Sequence, residues 1–203
     1  MASPPKTVLT VSPEEERAIR DAVRGADLAT LGPGRVLASQ AHVAGVFDLL
    51  ADPAVSEPIY ALPRPLTEAS VAAWIAEAEA LHARGEVLLI LNTVADGTIM
   101  GYSRISVWPD RSAAELGGAL RASLQNSGAG GAGAAHTIGW IFETLKVRLI
   151  CLTAALDNVR SAKLIDRMGF VRMGERESIR PDGSVRRSLY WEMTREAWVE
   201  RSR

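Results

Sequence analysis

Apolar residues along this 203-residue chain switch between helical and strand periods, and each switch marks an element. Val43, Val46, Phe47 and Leu50 fall at i, i+3, i+4 and i+7, which predicts a helix over 42–51. Val71, Trp74, Ile75, Ala78 and Leu81 form a second apolar face behind Thr67, a favoured N-cap, and Gly85 is placed to end that helix. Near the start, Ser12-Pro13-Glu14-Glu15 combines an N-cap, Pro at the first helical position and acids in the first turn. Glu15 stands at capping-box spacing from Ser12, and the helix runs to Arg24 before Gly25. Short apolar runs predict strands over 35–39, 86–94, 98–107, 111–120 and 147–155. Asp96-Gly97 reads as a two-residue hairpin turn between the second and third of these. A Gly/Ala stretch leads from 111–120 into a helix ending near Leu145, and a helix over 158–168 closes at Gly169. A last hairpin pairs 170–179 with 188–194 around Pro181-Asp182-Gly183. Gly32-Pro33-Gly34 separates an N-terminal helical arm, residues 1–32, from a main domain of residues 33–203. Strands interleaved with helices around one sheet predict an α/β (α+β) layered domain.

Composition removes several classes of function. Hydrophobic residues make up 47% and charged residues 23%, as in a globular protein. The formal net charge of −1 argues against a generic polyanion binder, so no nucleic-acid partner is expected. Locally the picture differs: residues 158–188 carry eight Lys/Arg against four Asp/Glu. The single cysteine, Cys151, allows no internal disulfide and sits mid-strand as a core residue. The apolar runs are shorter than the roughly 18–20 residues of a membrane span, and the N-terminus lacks a signal-peptide core, so a cytoplasmic protein with no membrane contact is expected. His42, His82 and His136 lack metal-ligand spacing, and no metal is expected.

The segment Gln125-Asn126-Ser127-Gly128-Ala129-Gly130-Gly131-Ala132-Gly133 lies between a strand and a helix. Glycine permits φ > 0 and close approach of backbone to a ligand, and the helix N-terminus beyond offers unpaired N–H groups. Together these suit a pyrophosphate without a charged side chain; a flexible linker is the plain alternative. Gly128, Gly130 and Gly133 also spell the dinucleotide fingerprint, which would imply an NAD-binding oxidoreductase with Asp157 on the ribose. The long stretch between Leu120 and Gly128 and the antiparallel strands upstream do not suit that reading.

Gln125-x-x-Gly128-x-Gly130 matches a second signature, and Asn158-Val159-Arg160-Ser161 through Leu164 to Gly169-Phe170 matches its downstream partner. Together they resemble the GNAT superfamily of acetyl-CoA-dependent N-acetyltransferases, in the branch that includes ribosomal-protein N-terminal acetyltransferases. The likeness runs over 35–198. It implies a GNAT-like mixed, centrally splayed β-sheet flanked by helices, and transfer of acetyl from acetyl-CoA (coenzyme A) to an amine substrate, a protein N-terminus or a small molecule, by direct attack.

The resemblance assigns roles. Glu115, on the strand before the glycine segment, is the expected general base, because a protonated amine cannot attack a thioester. Ser161 is expected to donate to the leaving thiolate, and Asn158 to hold the pantetheine arm while capping its helix. Backbone near Gly118, Ala119 and Leu120 would polarise the carbonyl. Gln125, Asn126, Ser127, Gly128, Ala129, Gly130 and Gly131 would cradle the pyrophosphate, with Arg121 as an outside helper, and Arg160 and Lys163 would meet the ribose phosphate. Ile165 stands where many relatives carry a tyrosine acid. The Pro-rich stretch 53–66 is expected to shape the acceptor site. A homodimer using exposed Trp108 and Trp198 is a further expectation, and a non-catalytic acyl-CoA sensor on the same fold is the rival reading.

Overall fold

The computed structural model describes residues 4–59, 61–125, 129–179 and 183–201. Its elements are α1 (Pro13–Arg24), β1 (Arg35–Leu37), α2 (Val43–Ala51), α3 (Pro53–Ser56), α4 (Glu68–Ala83), β2 (Val87–Thr93), β3 (Ile99–Trp108), β4 (Ala113–Leu120), α5 (Ala129–Thr144), β5 (Leu149–Ala155), α6 (Val159–Arg167), β6 (Val171–Ile179), β7 (Val185–Thr194) and α7 (Arg195–Arg201). Local chemistry sets the helix starts. The side chains of Ser12, Thr67 and Asn158 accept the backbone N–H of Glu15, Ser70 and Ser161, each satisfying one of the orphan donors of a first turn.

The strands form one sheet in the order β1-β2-β3-β4-β5-β7-β6. Every neighbouring pair is antiparallel except β4 and β5, whose parallel pairing covers only Ala113↔Leu149, Ala114↔Ile150 and Glu115↔Cys151. Beyond Glu115 the two strands part, while β4 stays paired with β3 as far as Leu120. This is the central splay that the resemblance implied. The β4–α5–β5 crossover that produces it needs a helix long enough to return the chain to the starting edge.

Apolar side chains fill both faces. Leu88, Ile90, Ile105, Ile150, Leu152 and Trp191 pack beneath α1, α5 and α6, whereas Val87, Leu89, Leu91 and Tyr102 pack beneath α2 and α4. Alternate residues of β2 thus serve opposite cores, which is why that strand reads as a continuous apolar run. The N-terminal region joins the first core through Ile19, Val23 and Leu31, and Trp140 Nε1 donates to Thr30 Oγ1 at 2.8 Å.

Some expectations change. The β2–β3 turn is three residues, not two: Gly97 N–H donates to Val94 O at 2.9 Å, and Gly97 follows at φ +84°, the pattern of a turn with a glycine bulge. Gly130, Gly131 and Gly133 lie inside α5 and not in a preceding loop, because α5 begins at Ala129. None of the three is among the positive-φ glycines, so φ > 0 is not what they supply. Asn126, Ser127 and Gly128, like Pro181 and Asp182, lie outside the described residues. The sequence pattern missed α3 and α7, both shorter than the window that reveals periodicity. Trp198 is half-buried against the core, 6.2 Å from Phe142 between ring centres, and Trp108 is half-buried as well, so neither is the exposed dimer candidate expected. Among the described residues no helix is long and apolar enough to cross a membrane.

Candidate active site

The splay places one carboxylate at its apex. Glu115 is the last β4 residue still paired with β5 and is 8% exposed. Thr153, two residues beyond Cys151 on β5, donates from Oγ1 to Glu115 Oε1 at 2.9 Å. Burial pushes the Glu115 carboxyl up to about 6; the Thr153 hydrogen bond and the charge of Arg176 pull the other way without cancelling it. A carboxylate at that value is ionised at neutral pH yet basic enough to take a proton.

Cys151 faces Glu115 on one side and Glu192 on the other in the sheet register. Burial, followed by the adjacent Glu115, raises its thiol well above the ordinary range, so Cys151 is a core residue and not a nucleophile.

Where the strands have separated, the second half of the site comes together. Gln125 Nε2 donates to Leu120 O at 3.1 Å, and Arg160 Nη2 on α6 donates to Gln125 Oε1 at 3.4 Å. Gln125 therefore bridges the end of β4 to the first turn of α6. The start of α5 closes on the same region. A Cβ on Gly131 would lie 3.0 Å from Leu164 Cδ1, whereas one on Gly133 would meet nothing within 4 Å. Gly131 thus serves helix packing, and Gly133 leaves open space beside the α5 N-terminus.

Asn158 caps α6, with Oδ1 accepting the Ser161 N–H at 3.1 Å. Ser161 is half-buried in that first turn, Lys163 is exposed on the outer face, and Ala119 and Leu120 are half-buried on the splayed end of β4. Ile165 is buried in the core. An unpaired β4 edge beyond Glu115, a helix N-terminus without bulky side chains and cations on α6 form a cradle that fits an extended anionic coenzyme.

Arg121 does not join this group. Its Nη2 donates to Asp48 Oδ2 at 2.6 Å and its Nε to Ile99 O at 3.0 Å, tying β4 to α2. The basic excess of 158–188 is also largely engaged: Arg172 pairs with Asp166 at 2.6 Å, and Arg187 pairs with Glu175. Asp157, the ribose partner of the dinucleotide reading, is 91% exposed and faces Arg186 at 3.7 Å.

On the other side of the splay, the Pro-rich stretch borders an open cavity of about 460 Å³ lined by Phe47, Ser56, Glu57 and Arg64. Arg64 donates to Ser56 O at 2.9 Å, and Arg186 reaches from β7 to Pro58 O at 2.7 Å. Sequence reasoning missed Thr153 and the β7 residues Tyr190 and Glu192. The signal was present in 147–155, where Cys151 and Thr153 alternate with Ile150, Leu152 and Ala154.

The fold has close structural neighbours. Ribosomal-protein-S5-alanine acetyltransferase from Vibrio fischeri superposes with a TM-score of 0.67 at 17% identity, covering 81% of this chain and 93% of that one. Mycobacterium smegmatis RimJ, in complex with CoA-disulfide, gives 0.67 at 20% identity, covering 80% and 81%. RimL, a ribosomal L7/L12 alpha-N-protein acetyltransferase in complex with coenzyme A, gives 0.69 at 17% identity, covering 82% and 97%. No curated protein matches the sequence significantly. The family described as Acetyltransferase (GNAT) domain matches residues 35–171. With two thirds of its length inside that match and the splayed sheet in place, the chain belongs to the GNAT acetyltransferases, enzymes that take their acetyl group from acetyl-CoA.

Proposed function

We propose that this enzyme acetylates a primary amine, either a protein N-terminal α-amine or a small-molecule amine, by direct attack with Glu115 as general base. The observation that carries the reading is the buried Glu115 at the apex of the splay, with its carboxyl raised to about 6. An α-amine titrates at about 8 and a lysine amine at about 10.4, so the acceptor arrives protonated and must lose a proton before its lone pair is available.

Bound acetyl-CoA supplies an electrophilic acyl carbon and a thiol leaving group. Glu115 takes the ammonium proton on a carboxylate oxygen, with Thr153 holding the other side of the exchange in place. Backbone N–H groups of Gly118 and Leu120, which point away from β3 while that of Ala119 points toward it, stabilise developing negative charge without a mobile side chain. Ser161, in the first turn of α6, donates a hydrogen bond to the departing thiolate, which then takes its proton from solvent. A thiol leaves at a pKa of about 8.5, so this last contribution is small and the tyrosine replaced by Ile165 is dispensable. Gln125, the first turn of α5, Asn158, Arg160 and Lys163 hold the coenzyme, and catalysis rests mainly on positioning.

A thiol-release assay with acetyl-CoA across N-terminal peptides, polyamines and aminoglycosides tests the reading. Amine-dependent release that Glu115→Gln abolishes is expected. Acetyl-CoA binding with no release for any amine would replace it with the acyl-CoA sensor, and NADH binding without acetyl-CoA binding with an oxidoreductase.

A further inference from the structure

The half of the sheet face that carries Glu115 is crossed by the chain's own N-terminal segment. Glu192, 4% exposed on β7, accepts the backbone N–H of Lys6 at 2.8 Å and of Thr7 at 3.1 Å on one oxygen, and the Thr7 hydroxyl on the other. Tyr190 donates its hydroxyl to the same carboxylate at 2.6 Å. Arg176 stacks over the Tyr190 ring at 4.0 Å and donates to Pro4 O at 2.8 Å. Lys6 Nζ donates to Met173 O at 2.7 Å and Glu175 O at 3.2 Å. A buried carboxylate and an arginine thus grip main-chain N–H and C=O groups of the segment, which is recognition of a peptide backbone.

Two further observations point to a ligand groove. Ser188, on the same face of β7 as Tyr190 and Glu192, is 1% exposed, and its hydroxyl has no hydrogen-bond partner among the described residues. Such a group is costly unless something polar meets it. The segment also has an independent anchor behind it. Arg148 donates to Thr10 O at 2.6 Å and pairs with Glu15 at 2.8 Å, so residues 4–7 can leave without unravelling α1. Glu192 and Glu115 both lie opposite Cys151, on its two neighbouring strands, so strand spacing sets them about 10 Å apart.

We propose that this face is a peptide-binding groove which residues 4–7 fill in cis, so that the N-terminal segment competes with the acceptor for the approach to Glu115. The inference rests on the acceptor reading above. Its occupant is this chain, held through groups that would hold another extended peptide equally well.

Cys151, the sole cysteine, lies in the row beneath the segment and reports its departure without any acceptor. In the full chain, Thr7→Pro removes both a backbone donor and the hydroxyl. It should raise the rate of Cys151 labelling by a disulfide reagent about tenfold, and lower the KM for peptide amines several-fold at unchanged acetyl-CoA KM. A synthetic peptide of residues 4–11 added to the variant should restore slow labelling, which a merely unfolded variant would not allow. Glu192→Gln, which keeps the shape of the groove, should likewise speed labelling but should not lower the acceptor KM, because the same carboxylate would hold the acceptor's backbone. Labelling unchanged in both variants, an acceptor KM unchanged in Thr7→Pro, or labelling indifferent to the added peptide would overturn the proposal. Labelling that responds in a chain acetylating no amine would instead overturn the acetyl-transfer reading.

Discussion

Thr153 Oγ1 donates to Glu115 Oε1 across 2.9 Å, joining β4 and β5 at the last point before they separate. The bond orients the carboxylate, and it also favours the ionised form against the burial that opposes it. The same contact therefore bears on strand pairing and on the availability of a base.

Thr153→Val should move the acidic limb of the kcat/KM profile to higher pH than that of the parent, because loss of the donor leaves burial less opposed. Thr153→Ser should keep the parent profile. The acetyl-CoA KM should change little in either, and pH–rate profiles of the three proteins check this.

Glu115→Gln should lower kcat by about 10²-fold or more, the usual contribution of a general base. It should also stabilise the protein at pH 8. The folded pKa is raised from 4.5 to about 6, so the parent is least penalised below pH 4.5 and loses stability as pH climbs through 6. Above that range the cost is constant, on the order of 2 kcal/mol. Denaturant melts at pH 4 and pH 8 should show the variant's advantage only at the higher pH.

Gly133→Ala should stabilise α5 by about 0.5–1 kcal/mol, since its Cβ meets nothing within 4 Å and alanine favours the helix. Gly131→Ala should gain less, because its Cβ must displace Leu164 at 3.0 Å. Thermal unfolding of the pair separates open space from a packing requirement.

Arg121→Gln should leave acetyl-CoA affinity unchanged, because the guanidinium is committed to Asp48 and Ile99. Arg160→Ala should weaken acetyl-CoA about threefold or more, an effect that added salt diminishes. Calorimetric titration of both at two salt concentrations checks the contrast.

The helix caps at Ser12, Thr67 and Asn158 were readable because a cap is a contract between residues three apart. Gly85 was readable as the glycine that ends α4, at φ +74°, whereas the approach of Arg20 that also excludes a Cβ there was not. The glycine segment was readable as a place of close approach but not as helix, since its propensity argues against one and the crossover overrides it. Arg121 looked like a phosphate ligand by proximity in sequence; its partner Asp48 lies 73 residues away.

What the chain's sequence determined by itself was therefore local: the order of helices and long strands, their caps, and the two spaced motifs around Gln125 and Asn158 that carry the family resemblance. Each depends on residues a few positions apart, whose interactions survive in any fold. Tertiary structure alone decided that β4 and β5 run parallel for three pairs and then part, that Thr153 meets Glu115, and that Glu192 grips the backbone of Lys6 and Thr7. Those contacts join residues 36 to 186 positions apart, and only the assembled sheet supplies the entropy-costly proximity that lets burial and hydrogen bonding act on them.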